Sequence, residues 1–313
     1  MHVCFDIRKV DFLAFEKPVI TVGSFDGVHL GHQAIIRRLI EKSEEKQRAG
    51  LVVTYEPHPQ SVVAPLDAPS LLTTLKEKLA LLEKLGVKET VVMNFDEQLS
   101  EYSAEEFVDQ ILVGKLNIGD LVVGYDHAFG KNRSGKIDLL KQAALKYNFD
   151  LEVVPALHVD GIRVSSTRIR KALEAGEFAK AKSLLGHGYP LSGTIIRGKG
   201  RGKDLGYPTL NLEIPSRKLL PQDGVYSVNV QLEGKSYLGM MYIGPKPTFA
   251  ENTRSVEVHV FGLQKDVSDL KLELFVENWV RGPKKFTHFQ YLRDQLKSDE
   301  KRIKEMFRID RSN

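Results

Sequence analysis

The sequence predicts two domains of different class: an N-terminal α/β domain with a Rossmann-like parallel sheet, then a small, mostly β domain, an antiparallel barrel with a terminal helix. Three observations predict it. Through the first 186 residues, short apolar strands alternate with amphipathic helices, the pattern of a parallel sheet covered on both faces. After Gly186 the pattern changes to short strand-like runs separated by turn residues, as in a small sandwich or barrel. The length of 313 residues, at about 100–200 residues per domain, also implies two. The boundary is set at Gly186–Gly188, giving domains 1–186 and 187–313.

Pro18–Gly23 reads as a buried strand, and a helix follows from about Gly31 to Arg48, with Ile35, Leu39 and Ile40 near helical spacing. Leu51–Tyr55 is strand, Lys76–Leu85 helix and Thr90–Asn94 strand. Ser103–Lys115 reads as helix, with Ser103 as N-cap and Glu106 completing a capping box. Leu121–Gly124 is strand, Lys136–Tyr147 helix and Leu151–Val154 strand, and short helices at Thr167–Ala175 and Phe178–Leu184 close the half. Beyond the boundary, strands are expected at Leu191–Arg197, Val225–Leu232, Tyr237–Tyr242, Val256–Phe261 and Leu270–Trp279, with a final helix over Phe289–Phe307.

Composition narrows the class. The chain is 42% hydrophobic and 27% charged, as in ordinary globular proteins. Its net charge of +4 suits anionic substrates such as phosphates but does not by itself argue for nucleic acid. A single cysteine, Cys4, forms no intrachain disulfide and fits a reducing compartment. No apolar run approaches the ~18–20 residues needed to span a bilayer, and the first dozen residues lack a signal-peptide core. The expected location is cytoplasmic, with no membrane partner.

Three stretches carry chemistry. Gly23-Ser-Phe-Asp-Gly-Val-His-Leu-Gly-His32 sits at a strand-to-helix crossing, where an α/β sheet places ligands. Its glycines let backbone N–H groups approach phosphate, and the helix N-terminus favours anions. Two imidazoles three residues apart, His29 and His32, can face that spot; as a metal pair they lack an evident third ligand. In Val164-Ser-Ser-Thr-Arg-Ile-Arg170, three hydroxyls precede a helix opening with arginines, a set able to bind phosphate oxygens or simply to cap the helix. The third stretch is Gly193-Thr-Ile-Ile-Arg-Gly-Lys-Gly-Arg-Gly-Lys-Asp-Leu-Gly-Tyr-Pro-Thr-Leu-Asn211, in which Gly198, Gly200 and Gly202 alternate with Lys199, Arg201 and Lys203. By composition such a loop wraps polyphosphate or touches RNA equally well. It is neither a Walker A motif nor a dinucleotide fingerprint. Thr209 and Asn211 fall on one side of an extended segment, offering two neutral oxygens to a hard cation such as Mg²⁺.

The first two stretches together resemble the HxGH nucleotidyltransferase superfamily, with its HxGH and ISSTxxR-like signatures. Thr54-Tyr-Glu-Pro-His-Pro59 and Gly124-Tyr-Asp-His-Ala-Phe-Gly130 resemble the TFxPHP and GxDFxFG elements of the bacterial bifunctional riboflavin kinase/FMN adenylyltransferases, with Tyr55 and His127 in place of the usual phenylalanines. The glycine-rich stretch is similar to that family's GxGxGRxLGxPTxN, with Lys203 for its arginine. Leu220–Tyr226 resembles LPxxGVY, and Tyr242–Thr248 resembles NIGxxPT with Tyr242 for asparagine. Val256–His259 is similar to the segment bearing the family's catalytic glutamate, and Arg281–Phe286 resembles RPEKKF. The segment Phe261–Asp269 departs from the family's LDF…DLYG.

The resemblance implies an enzyme that uses ATP at two sites: riboflavin to FMN in the C-terminal domain, and FMN to FAD plus pyrophosphate in the N-terminal one. It implies that His29, His32 and Arg168 act on the ATP phosphates. Gly23, Ser24, Phe25, Asp26, Gly31, Ser165, Ser166 and Thr167 would complete that nucleotide site, with Asp126 near flavin or adenine. In the second domain it implies Gly198, Gly200, Gly202 and Lys203 on nucleotide, Thr209 and Asn211 on Mg²⁺, and Arg281 on the flavin side. An ionised FMN phosphate needs no general base, whereas a ribityl hydroxyl must lose its proton, so a carboxylate is expected there, and Glu257 is the candidate. Read on its own, Glu257 is an outward polar residue of an alternating strand. Trp279 and Phe286 read as core or lid residues. Two rival readings remain at this level: a barrel that only regulates, and an RNA-binding chain. Thr209, Asn211 and Glu257 lying far apart would favour the first.

Overall fold

The computed structural model describes residues 1–5, 7, 16–197, 202, 205–246, 251–263, 267 and 271–310. Within it the chain divides into two units, Met1–Ser166 and Thr167–Asn313.

The first unit is a six-stranded sheet in the order β1-β4-β3-β2-β5-β6, with every neighbouring pair parallel. Its strands are β1 (His2–Cys4), β2 (Val19–Val22), β3 (Gly50–Glu56), β4 (Glu89–Asn94), β5 (Asp120–Gly124) and β6 (Asp150–Val154). Helices α1 (Leu30–Lys46), α2 (Pro59–Val63), α3 (Leu75–Lys84), α4 (Glu97–Ser100), α5 (Ala104–Glu106) and α6 (Ile137–Tyr147) connect them. The central strands are apolar runs because both faces are covered: β2 is buried at every residue. Ile20, Val22, Leu51, Val53, Val91, Leu121 and Val123 join one continuous core with Phe107, Ile111, Leu112 and Leu140. The sheet runs outward both ways from β2, through β3 and β4 on one side and β5 and β6 on the other. The crevice between β2 and β5 is therefore the topological switch point.

The expected strands and helices of this half all form, with bounds shifted by a residue or two. One helix differs. Ser103 caps it in the expected box with Glu106, but Phe107–Val113 continues as a π-helix. The Phe107-Val-Asp-Gln-Ile-Leu-Val113 run is apolar on several spacings, so its pattern does not separate the wider turn from an α-helix. Also unexpected are β1, the hairpin β7 (His158–Val159) with β8 (Ile162–Arg163), and the short helices α2 and α4.

The second unit begins within α7 (Ser166–Glu174) and continues with α8 (Phe178–Leu185). A closed six-stranded antiparallel barrel follows, in the order β10-β13-β12-β11-β14-β9. Its strands are β9 (Tyr189–Ile196), β10 (Leu210–Glu213), β11 (Gly224–Leu232), β12 (Lys235–Lys246), β13 (Glu251–Val260) and β14 (Lys271–Arg281). Leu212, Met241, Ile243, Val256, Val258, Leu274 and Val276 are buried and alternate with more exposed neighbours along most strands. Helix α9 (Phe289–Asp310) covers part of the outer face, where its Ile303 packs with Val225, Met240 and Val280. Helix α8 lies on the barrel through Phe178, edge-on to Tyr226 at 5.5 Å between ring centroids, and through the Lys182–Glu277 ion pair at 2.8 Å. The sixth strand, β10, was not expected, because four residues read Leu-Asn-Leu-Glu leave little period to detect.

Candidate functional site

In the first unit the Gly23–His32 stretch leaves β2 at the switch point and enters α1. His29 is the N-cap of α1, and its Nδ1 accepts the backbone N–H of His32 at 3.3 Å. That bond places the neutral ring's proton on Nε2. A Cβ on Gly31 would lie 3.3 Å from the His29 ring, so glycine is what lets the imidazole fold back over the first turn. The His29 and His32 rings stack, with centroids 3.6 Å apart and planes 14° from parallel, and Phe25 stands edge-on to His32 at 5.3 Å. Burial, then the neighbouring His29 and the Lys78 ammonium, hold His32 well below the usual imidazole range. His32 is thus a neutral donor at pH 7, and its buried Nδ1 has no hydrogen-bond partner among the described residues. The first turn of α1 carries no acidic residue, so the positive end of the helix is left uncompensated.

The loop before His29 is strained. Phe25 has φ 47°, Gly27 φ 87° and Val28 φ 40°, and left-handed geometry is costly for a β-branched residue. Its shape is fixed from several sides. The buried Asp26 carboxylate accepts from the N–H groups of Leu72 (3.1 Å) and Thr73 (2.9 Å) and from the Thr73 hydroxyl (3.1 Å). Gly27 N–H donates to Thr73 Oγ1 at 3.0 Å, and Gln33 Nε2 donates to the Val28 carbonyl at 3.0 Å. The Ser166 hydroxyl donates to the Asp26 carbonyl at 2.9 Å, which brings the Ser165–Ser166 stretch against the first motif. Thr167 and Arg168 follow in sequence and are exposed.

Asp126 is exposed in the turn after β5, beside Tyr125, whose ring meets the Arg163 guanidinium at 5.9 Å. His127 stacks on Phe129 at 5.4 Å, and burial pushes its imidazole down to about 4. Sequence reasoning missed Thr73 and Lys78. Lys78 had a readable signal: it falls on the stripe of α3 marked by Leu81 and Leu82, where a lysine breaks the apolar pattern.

In the second unit the strand registers assemble one row around the barrel: Ile196, Asn211, Glu257, Tyr242, Val225 and Arg281, each opposite the next. Asn211 and Glu257 are direct cross-strand partners on β10 and β13, and Thr209 precedes Asn211 by two residues, just before β10 begins at Leu210. A Cβ on Gly202 would run into the Tyr207 carbonyl oxygen, so only glycine lets this backbone pass so close to Tyr207, two residues before Thr209. Gly198, Gly200 and Lys203 lie outside the described residues. The Arg281 guanidinium is bound to the buried Asp299 of α9, with Nε at 3.1 and 2.9 Å and Nη2 at 2.8 Å from its oxygens, and Nη1 donates to the Gly282 carbonyl at 3.0 Å. Three of its five N–H groups are so used, leaving two. Asp299 was not anticipated. Tyr207 donates to Glu300 at 3.1 Å, a second tie from α9 to the segment before β10. Of the two residues read as core or lid, Phe286 is buried and Trp279, 40% exposed, lies outside the core.

Comparison with known proteins places these two units in context. A family model described as FAD synthetase matches residues 13–168, and one described as riboflavin kinase matches residues 185–307. The chain is 34% identical over 293 residues to the bifunctional riboflavin kinase/FMN adenylyltransferase of Escherichia coli (strain K12), covering 93% of each chain. It is 36% identical over 282 residues to the protein of that name from Pseudomonas fluorescens, covering 90% of each, and 35% identical over 292 residues to that from Listeria monocytogenes, covering 92% of each. A solved structure described as a macrolide-efflux protein from Streptococcus pneumoniae superposes with a TM-score of 0.83 at 28% identity, covering 96% of this chain and 97% of that one. Among the described residues no helix is long and apolar enough to cross a membrane.

Proposed function

Because the chain belongs to the bifunctional riboflavin kinase/FMN adenylyltransferase family, we propose that it makes FMN from riboflavin and ATP within residues 187–313 and FAD from FMN and ATP within residues 1–186, in the cytoplasm. The observation that carries the reading is the presence in one chain of two separately built sites. One is the His29–His32 pair at a sheet switch point; the other is the Asn211–Glu257 pair on the barrel wall.

At the first site the nucleophile is the FMN phosphate, already ionised at neutral pH. The protein's task is to align it with the α-phosphorus of ATP and to offset charge building on the leaving pyrophosphate. His29 and His32 supply neutral N–H donors, and the N-terminus of α1 supplies positive potential. Gly23, Ser24 and Phe25 let the backbone approach the phosphates, and Asp26 holds that loop in shape. Ser165, Ser166, Thr167 and Arg168 hold the outer phosphates, with Asp126 near the flavin or adenine.

At the second site the ribityl hydroxyl of riboflavin attacks the γ-phosphorus of ATP. Glu257 accepts the hydroxyl proton as the bond forms, and ADP leaves. Gly198, Gly200, Gly202 and Lys203 wrap the nucleotide. The donor set suits Mg²⁺: the Thr209 hydroxyl and Asn211 amide oxygens are neutral, hard ligands on one side of the strand. When bound there, the ion neutralises phosphate charge. The two N–H groups left on Arg281 face the flavin side.

The test is incubation of the full chain with riboflavin, ATP and Mg²⁺, resolving products over time. FMN should appear first and FAD after it, and supplied FMN should yield FAD directly. A chain that makes neither product overturns the reading.

A further inference from the structure

The interior of the first unit holds a charged group that the mechanism above does not use. Lys78 is 5% exposed and belongs to the first turn of α3, where the helix dipole disfavours a cation. Its Nζ donates to the Ser24 carbonyl at 2.9 Å, to Thr54 Oγ1 at 3.0 Å and to the Tyr55 carbonyl at 3.3 Å. An ammonium has three N–H groups, and all three are engaged, so none remains for a substrate. Thr54 donates its own proton to the same Ser24 carbonyl at 3.2 Å, which leaves its oxygen free to accept from Lys78. The Ser24 carbonyl therefore takes two bonds, immediately before the left-handed residue Phe25.

Resting on the adenylyl-transfer reading of this site, we propose that Lys78 is a positioning residue for that reaction. Its ammonium pins the Ser24 carbonyl to the end of β3 and so holds the strained Phe25–Val28 turn that presents His29 and His32. The Asp26–Thr73 bonds grip the far side of the same turn, and Lys78 grips the near side. The charged and titratable groups around it are Asp26 on the loop, Glu56 at the end of β3 and His32 on α1. Burial outweighs the two carboxylates and pulls the ammonium down to about 8. At neutral pH it remains charged, and its field is one reason His32 stays neutral.

The test uses the full chain, with FAD formation from FMN and riboflavin phosphorylation measured on the same preparations. Lys78→Met keeps the chain's length and removes the donors. Its kcat for FAD formation should fall about 10²-fold, the scale of a small misplacement of catalytic groups, while KM for ATP changes less than threefold and FMN formation stays at wild type. The His32 imidazole, followed by NMR, should titrate at higher pH in Lys78→Met than in wild type. Thr54→Val, which removes the shared hydroxyl but leaves the ammonium, should lose about tenfold in the same kcat. A folded Lys78→Met chain with wild-type kcat overturns the inference. So does a loss in both activities proportional to unfolded protein, with the Thr54→Val chain fully active. Failure of the wild-type chain to make FAD from FMN defeats instead the reading on which the inference rests.

Discussion

Removing the Asp299 carboxylate should release helix α9 from the barrel wall. The perturbation is Asp299→Ala. In the native unit Asp299 is 3% exposed and accepts from Arg281 Nε and Nη2 and from Gln295 Nε2 at 2.9 Å. Charge-assisted hydrogen bonds contribute about 1.5–3 kcal/mol each, and stripping one partner from a buried ion pair costs about 3–5 kcal/mol. The Arg281 side chain keeps 19% of its surface in water, so the lower end applies, about 3 kcal/mol. For a unit of this size that lowers the melting temperature by about 6–12 °C. Calorimetry on the full chain should show this shift in the second unit's transition and leave that of the first in place. Arg281→Ala and the double variant complete a cycle whose coupling should exceed about 1.5 kcal/mol. If Arg281 also holds flavin with its two remaining N–H groups, its alanine variant raises the riboflavin KM beyond the Asp299→Ala value. An Asp299→Ala chain melting within about 2 °C of wild type would refute the reasoning.

The other expectations concern the two sites and acid stability. His32→Ala should lower FAD formation from FMN by about 10²–10³-fold, the scale for one lost transition-state donor, with riboflavin phosphorylation unchanged in the same tube. Glu257→Gln keeps shape but cannot take the hydroxyl proton, so FMN formation should fall by about 10²–10⁴-fold while supplied FMN is still converted to FAD; full kinase activity in this variant removes Glu257 as the base. His127→Phe tests a half-buried imidazole whose folded value, about 4, lies below its unfolded value of 6.5. The unfolded chain alone takes up that proton between those limits, so wild type holds its full stability above pH 6.5 and loses about 3 kcal/mol as pH falls toward 4. Melting curves across that window should converge on, or cross, those of His127→Phe; parallel curves would show that the imidazole is not the cause.

The α/β alternation was legible because buried parallel strands are short, nearly continuous apolar runs, as in Val19–Val22. What escaped was short or ambiguous in period. Three residues of β1 and four of β10 carry no pattern of their own, and pairing with longer neighbours forms them. The β7–β8 hairpin did carry a signal: Asp160-Gly161, at φ 49° and 73°, is a turn-forming pair between β-branched residues. The histidine motif was legible as residues but not as geometry, since stacking of His29 on His32 depends on Gly31. Thr73 and Asp299 were invisible for another reason, and Lys78 showed only as a break in the apolar stripe of α3. Each acts on a segment distant in the chain, and no local spacing encodes such a partner.

The closed barrel has a consequence for how the protein is made. Strand β14 is the last strand among the described residues, yet it sits between β11 and β9. Its residues pair with a strand that began at Tyr189, so the ring shuts only when the ribosome has passed Arg281. Such long-range closure is slow relative to local folding. The parallel sheet of the first unit, by contrast, has all its strands once Val154 has emerged. During synthesis, at roughly 5–20 residues per second, the nascent chain carries a complete sheet followed in sequence by an open, edge-exposed barrel. Arg281, at the end of the closing strand, arrives with it, so nascent chains that stop short of β14 have neither a sealed wall nor the end of the row that begins at Ile196.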